Sequence, residues 1–355
     1  MDLPVDKVES TRASGPAAEG KRTRTYREAL REALAQAMER DSRVFVAGQG
    51  VDDPGAVFGT TKGLAERFGR QRVFDTPIAE NGITGIMIGA ALAGMRPVLV
   101  HMRMDFLPMS MDQIVNHAAK WRFMFGGRVN VPLTIRCIIG RGWGAAAQHS
   151  QSLQALFVHI PGLKVVMPST PYDAKGLLLA SIADENPVIF VEHRWLFDQS
   201  GYVPEEEYVI PIGKGVIRRK GRDATVVAIS HMAYEACKAA ESLEKDGIDI
   251  EIIDPRSLSP LDDELIFDSV KKTGRLIIAD TGWKNCGVGA EIAARVASDA
   301  LGYLKAPIRR IATADTPTPC SFELEKEFYP SSEDIIFTVK ELLNKSPLSP
   351  QPYRR

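Results

Sequence analysis

The sequence predicts an α/β protein built as two doubly wound, mostly parallel-sheet domains. Short, almost continuously apolar runs alternate with amphipathic stretches along both halves, the pattern of parallel strands covered by helices on two faces. A Pro/Glu-rich connector, Tyr202 to Pro211, separates the halves. With 355 residues, 45% hydrophobic and 25% charged, the chain is long enough for two soluble globular domains.

In order, Tyr26 to Arg40 reads as a helix, with Ala29, Leu30, Ala33, Leu34 and Met38 at helical spacing. Val44 to Gly48 reads as a buried strand ending in glycine. Apolar runs at Pro97 to His101, Leu133 to Ile139, Leu163 to Met167 and Val188 to Glu192 are the further strands. Helices are expected between them at Met111 to Phe125, Ser150 to His159 and Asp173 to Asp184. Past the connector, strands are expected at Ala224 to Ser230, Ile248 to Asp254 and Arg275 to Asp280. Helices are expected at Ala233 to Asp246, Leu261 to Thr273 and Gly289 to Leu301. The resulting division is a disordered leader over 1–24, a first domain over 25–201, a linker over 202–214, a second domain over 215–343 and a flexible tail over 344–355.

Composition excludes several functions. A formal charge of -1 and a pI near 6.6 supply no basic stripe for nucleic acid or an anionic membrane. The run Ile83 to Met95 stops at Arg96-Pro97, too short to span a bilayer, and reads as a core helix. Cys137, Cys237, Cys286 and Cys320 show no paired ligand spacing, so buried reduced thiols in a cytoplasmic protein are expected. The polar, acid-bearing leader fits neither a secretory signal nor a transit peptide.

Two motifs carry chemistry. In Thr76-Pro-Ile-Ala-Glu80-Asn-Gly-Ile-Thr-Gly85, a lone carboxylate stands where an extended entry meets a helix rich in glycine and alanine. A carboxylate there loses hydration unless something meets it; the alternative reading is a helix N-terminal charge. Gly85 and Gly89 mark close packing, against a neighbouring subunit or the domain's own sheet. In Gly140-Arg-Gly-Trp-Gly-Ala-Ala-Ala-Gln-His149-Ser-Gln151, glycines leave a buried strand and lead to an isolated histidine. His149 alone reads equally as a structural hydrogen-bonding group. Ser150 lacks the surroundings of a hydrolase nucleophile, and the glycines match neither a Walker loop nor a dinucleotide fingerprint.

These segments fall in a collinear order with Asp105-Phe106, Met111-Asp-Gln113, Pro161-Gly-Leu-Lys-Val-Val, Asp184-Glu-Asn186-Pro187 and Gly287-Val-Gly-Ala-Glu291. From about Tyr26 to Leu343 the chain resembles the beta subunit of the thiamine diphosphate-dependent 2-oxo acid dehydrogenase first component, a branch of the transketolase-like superfamily. The resemblance implies a pyrimidine-binding first domain and a transketolase C-terminal-type second domain. It implies that Glu80 hydrogen-bonds the aminopyrimidine nitrogen of thiamine diphosphate and favours the imino tautomer that removes the thiazolium proton. Phe106, with Met104, matches the cofactor-binding positions, and Phe106 is otherwise an ordinary core residue. His149 matches the histidine that assists substrate binding and acyl transfer. Leu133, Ser181, Asp184 and Asn186 match positions around a monovalent-cation site, potassium in some relatives; the last two read equally as a helix-ending turn.

The superfamily's Gly-Asp-Gly…Asn motif, which holds the diphosphate through magnesium, is missing from the sequence. The resemblance therefore implies an alpha subunit carrying that half, in an assembly of two alpha and two beta chains with a beta–beta contact. It also implies a lipoyl acyltransferase core as acceptor of the acyl unit formed from a 2-oxo acid. Departures cluster at Val100-His-Met-Arg103-Met-Asp105-Phe106, where Arg103 and Asp105 replace uncharged neighbours, and at Arg141 with Trp143. Arg103, Asp105 and Arg141 are thus candidates for the substrate channel, with a guanidinium fork taking a carboxylate or phosphate. A surface ion pair between Arg103 and Asp105 is the plainer alternative. The departures also admit a two-component transketolase-like carboligase of specialised metabolism. A non-catalytic scaffold paralogue is the third reading, against which Glu80, Phe106 and His149 stand together.

Overall fold

The computed structural model describes residues 22–140 and 144–344. Most of the expected leader, the tail beyond Asn344, and Arg141 with Trp143 lie outside the described residues. Thr23 and Arg24, placed in the leader by the sequence, open a strand, Thr23–Thr25, paired antiparallel with Ser200–Tyr202. Thr25 then starts the helix Tyr26–Arg40 with a capping box, its N–H donating to Glu28 Oε2 at 2.8 Å and its hydroxyl accepting from Glu28 N–H at 3.3 Å.

Two sheets follow, both covered by helices. The first has seven strands in the order Ser257–Ser259, Lys164–Val166, Val188–His193, Thr134–Ile139, Arg96–His101, Val44–Gly48 and Val73–Asp75. Thr134–Ile139 and Val188–His193 are buried at every position, as a sheet packed on both faces requires. The second has five strands, Arg309–Thr313, Leu276–Trp283, Ala224–Ala228, Ile250–Asp254 and Val216–Arg219, the last antiparallel. The strand Ser257–Ser259 departs from the expected division: it comes from the second half of the chain yet pairs antiparallel with Lys164–Val166 at the edge of the first sheet.

A buried charge cluster ties the same halves together. Arg218 bridges Asp173 and Asp254, and Arg256 donates to Asp173 at 3.1 Å, all four side chains being fully or almost fully enclosed. Within the first sheet, Arg136 and Glu192 pair side-on, at 2.5 and 2.9 Å, and Thr60 Oγ1 accepts a third bond from that guanidinium. Cations buried this deeply require such partners.

Three expected helices are altered. Met111 to Phe125 is broken into a π-helical segment, Gln113–Ala118, and one α turn, Trp121–Met124, and is preceded by a 3-10 segment, Met104–Ser110. Ser150 to His159 contracts to Gln154–Val158, because the N–H groups of Ser150 and Gln151 are bonded to Asp105 and not to a helical ladder. The helix Glu80–Leu92, expected in the core, exposes one face, with Ile86 62% accessible. Gly85 packs against its own chain, since a Cβ there would lie 3.2 Å from Gln113 Oε1, whereas Gly89 faces open space. All four cysteines are free thiols, but only Cys137 and Cys237 are buried; Cys286 and Cys320 are exposed.

Candidate active site

The carboxyl ends of four neighbouring parallel strands bring the candidate residues to one edge, where open α/β sheets place their ligands. Val44–Gly48 delivers Gln49, Arg96–His101 delivers His101 and Arg103, Thr134–Ile139 delivers Gly140, and Val188–His193 leads to Arg194. Gly48 is obligatory: its φ is +152°, and a Cβ would fall 2.2 Å from Val100 O. That close approach sets Gln49 against the start of the helix Glu80–Leu92.

Glu80 is the first residue of that helix and is 5% exposed. It makes no capping hydrogen bond; the Gln49 amide donates to its Oε1 at 3.0 Å. Its Oε2 is buried without a hydrogen-bond partner. Such an oxygen is costly unless a ligand donates to it. His101, missed by the sequence reading, is also buried, and its Nε2 lacks a partner. Burial drives its pKa down to about 4, with the nearby Glu80 carboxylate opposing the shift. The imidazole is therefore neutral and supplies no positive charge beside Glu80.

Phe106 and His149 meet edge to face, ring centres 5.3 Å apart, with Phe106 partly buried and His149 exposed. Between them the backbone is fixed by Asp105. Its Oδ1 accepts from Ser150 N–H at 3.1 Å and from the Gln151 N–H and side-chain amide, each at 3.0 Å. Asp105 thus holds the loop that carries His149, which corrects its placement as a channel-lining charge. Met104 needs a similar correction. It is fully enclosed, and its sulfur accepts the Leu153 N–H at 3.3 Å, so it supports the same loop from beneath and presents no surface to a ligand.

Arg103 does not form the expected ion pair with Asp105; it donates to Gly140 O at 2.9 Å and lies over the Phe58 ring. Arg141 lies outside the described residues. Three of the four cation-site residues, Leu133, Ser181 and Asp184, have oxygens engaged, and Asn186 is a donor to Asp184. Leu133 O accepts from Val188 N–H at 2.9 Å, and Ser181 O accepts from Asp184 N–H at 3.3 Å. The Asp184 carboxylate pairs with Lys164 and accepts twice from Asn186, while Arg96 donates to the carbonyls of Ile182 and Asp184 at 3.1 and 3.2 Å. The expected cage is therefore occupied by two cationic side chains. Among the described residues no group of three or more His, Cys, Asp or Glu could hold a metal ion.

Sequence reasoning also missed the support behind the His149 loop. Gln154 donates to both oxygens of Asp280, at 2.9 and 3.0 Å, across the two halves of the chain. Tyr329 donates to Ser150 O at 3.4 Å and stacks edge-on with Trp195, beside buried His193 and His231. Asp280 closes an apolar run within the strand Leu276–Trp283, the one local signal; the Tyr329 contact spans 179 residues and has none. Together, the anchored carboxylate with a free oxygen, the aromatic face and the exposed imidazole fit the pyrimidine half of thiamine diphosphate. No metal cradle accompanies them among the described residues.

Comparison with known proteins agrees with this geometry. Residues 22–199 match the family model described as the transketolase pyrimidine-binding domain, and residues 213–335 that of the transketolase C-terminal domain. The chain is 46% identical over 334 residues to the beta subunit of acetoin:2,6-dichlorophenolindophenol oxidoreductase from Bacillus subtilis, covering 91% of this chain and 98% of that one. It is 46% identical over 331 residues to the pyruvate dehydrogenase E1 component subunit beta of Rhizobium meliloti, covering 93% and 72%. A solved split-gene transketolase, described as an inactive beta4 tetramer, shares the fold with a TM-score of 0.73 and 22% identity over 90% of this chain and 97% of that one.

Proposed function

Because this chain belongs to the transketolase-like family of thiamine diphosphate-dependent 2-oxo acid dehydrogenase beta subunits, we propose that it is the pyrimidine-binding half of a decarboxylating enzyme that passes an acyl unit to lipoamide. One observation carries the reading: buried Glu80, with Oε1 pinned by Gln49 and Oε2 left for a donor. When bound, the cofactor supplies a carbon nucleophile for the 2-oxo carbonyl and a sink for the electron pair released with carbon dioxide.

The chain's own residues do the rest. Gln49 orients the Glu80 carboxylate so that Oε2 can hold a proton on the aminopyrimidine. Neutral His101 beside it brings no competing positive charge. Phe106 gives the heterocycle an apolar face, and His149, steadied by that ring and by the Asp105 clamp, can move a proton at a substrate or acceptor oxygen.

An alpha subunit completes the site by bringing the diphosphate and Mg2+ positions in a two-alpha, two-beta assembly. The exposed apolar side chains Ile78, Ile86, Met109 and Phe123, between 61% and 88% accessible and all near Glu80 in sequence or on following segments, support a partner over this face. The pyrimidine-binding role belongs to residues 25–201 and the C-terminal-type role to 215–343, with 202–214 as linker. A monovalent cation would have to displace Arg96 from the Ile182 and Asp184 carbonyls. Free thiols support a cytoplasmic setting. A second donor class, a 2-hydroxy ketone, is supported by the 46% identity to the acetoin relative.

The test is exchange of the thiazolium proton, followed by NMR in the complex reconstituted with its alpha subunit. Rapid exchange in the complex and slow exchange in the isolated chain are expected. Full decarboxylase activity of this chain alone would reject the divided site, and assaying a 2-oxo acid beside acetoin separates the two donor classes.

A further inference from the structure

Two guanidinium groups at the carboxyl edge of the first sheet lack a counter-ion among the described residues. Arg103 follows the strand Arg96–His101 and Arg194 follows Val188–His193, with Thr134–Ile139 lying between those strands. Both side chains are partly buried, and they share one aromatic ring. Arg103 Cζ lies 5.9 Å and Arg194 Cζ 4.1 Å from the centre of Phe58. Arg103 gives one N–H to Gly140 O; for Arg194 the ring is its contact among the described residues.

Three more deeply withdrawn arginines differ from them. Arg96 meets Glu185, Arg136 meets Glu192, and Arg218 meets Asp173 and Asp254. A third cation near Phe58, Arg27, donates to the Phe58 carbonyl at 3.2 Å and has Asp198 as its own partner. The nearby carboxylate, Asp105, spends its Oδ1 on the Ser150–Gln151 backbone and forms no ion pair with Arg103, although its charge opposes the fall in the Arg103 pKa. The ring both cations share is carried by three consecutive residues of positive φ, Ala56, Val57 and Phe58, at 45°, 46° and 58°. Non-glycine residues rarely adopt that conformation, and a run of three is strain that the surroundings must maintain. Burial, and then the neighbouring Arg194, push the Arg103 pKa down; burial, and then Arg27, do the same to Arg194. An anion would relieve both, and a guanidinium fork is the group that takes carboxylate or phosphate in two bonds.

We propose that Arg103 and Arg194 form a subsite for an oxyanion, a carboxylate or phosphate carried by the substrate or the acyl acceptor at the end away from the reacting carbonyl. Its position follows from the chain: Arg103 is three residues from Phe106 and bonded to Gly140, where the loop toward His149 begins. The assignment of the ion to a substrate rests on the reading of Glu80, Phe106 and His149 given above.

The probe is inorganic phosphate, titrated calorimetrically into the full chain at constant ionic strength. One ion per chain is expected, with affinity lowered at least tenfold by Arg103→Gln and by Arg194→Gln but unchanged by Arg43→Gln, whose exposed guanidinium already pairs with Asp41. Should a glutamine variant fail to fold by circular dichroism, Arg103→Lys and Arg194→Lys, which keep the charge and lose the fork, replace it and should weaken binding severalfold. Absence of phosphate binding, or equal affinity in wild type and variants, overturns the subsite. In the reconstituted complex, phosphate should raise the KM of the 2-oxo donor if the oxyanion belongs to the donor, and that of the acceptor if it belongs to the acceptor; no change in either overturns the substrate assignment. Proton exchange without phosphate binding sinks this subsite alone. Phosphate binding without exchange sinks the reading of Glu80, and the substrate assignment with it.

Discussion

Asp105 holds Gln151 twice through one oxygen, from the backbone N–H and from the side-chain amide, each at 3.0 Å. Because Phe106 follows Asp105 and His149 precedes Ser150, this clamp fixes the two rings against each other. Asp105→Leu should lower kcat by roughly 10- to 100-fold, less than the ~10²–10⁴-fold that a general acid–base group itself contributes, with a smaller change in KM and with thiazolium proton exchange retained. Asp105→Asn, whose amide oxygen can accept the same bonds, should keep most of the activity. Faster hydrogen exchange over 144–153 in the leucine variant would show that the loop has been released.

Glu80→Gln removes the anionic acceptor but preserves the shape of the pocket. Thiazolium proton exchange in the reconstituted complex should fall by about 10²-fold or more, while assembly, followed by sedimentation, stays intact. Gln49→Leu should lower the same rate less severely, since it frees Oε1 without removing the carboxylate. A near-normal exchange rate in Glu80→Gln would remove the carboxylate from the mechanism.

The cluster joining the halves offers a stability test. Arg218→Met leaves Asp173 and Asp254 buried with less compensation, and breaking such a pair costs about 3–5 kcal/mol. Urea unfolding of the full chain should show that loss. A cost within the ~1 kcal/mol of an exposed pair would mean that water reaches the cluster.

Stability between pH 4 and 6.5 should be set by opposing buried groups. His101 and His231 have pKa values driven by burial down to about 4, so in this window the unfolded chain binds protons that the folded one refuses, and stability rises with pH. Asp280 has its pKa raised by burial to about 6, so the folded chain holds a proton that the unfolded one has lost, and stability falls as pH rises. Three buried histidines, His101, His231 and the strongly depressed His193, outweigh Asp280 and Asp254, whose pKa burial also raises. Thermal midpoints should therefore climb from pH 4 to 6.5, more steeply in Asp280→Asn and less steeply in His231→Gln. A midpoint that drops over this range would reverse the balance.

What the sequence disclosed was local. The helix Tyr26–Arg40 was legible to its last residue because apolar positions recur at helical spacing and its first turn has a charged partner for the capping threonine. Glu80 was legible because a carboxylate opening so apolar a helix is chemically conspicuous. Gln49 was not, since its meeting with Glu80 depends on the close approach of Gly48 to Val100. The roles of Asp105 and Met104 were misread because their partners, 45 to 49 residues away, are backbone N–H groups, which carry no residue-specific mark. The break in the helix expected over Met111 to Phe125 has no Gly or Pro within it to announce it.

The strand Ser257–Ser259 has a mechanical consequence. Since it borders Lys164–Val166, severing the polypeptide within 202–214 to express the two halves separately would strip the larger sheet of its outermost ribbon. The amino-terminal fragment would display a raw margin of unpaired amides and invite stacking with its own kind. Co-expression of both fragments should rescue it by complementation, and neither should persist as a well-behaved monomer without the other.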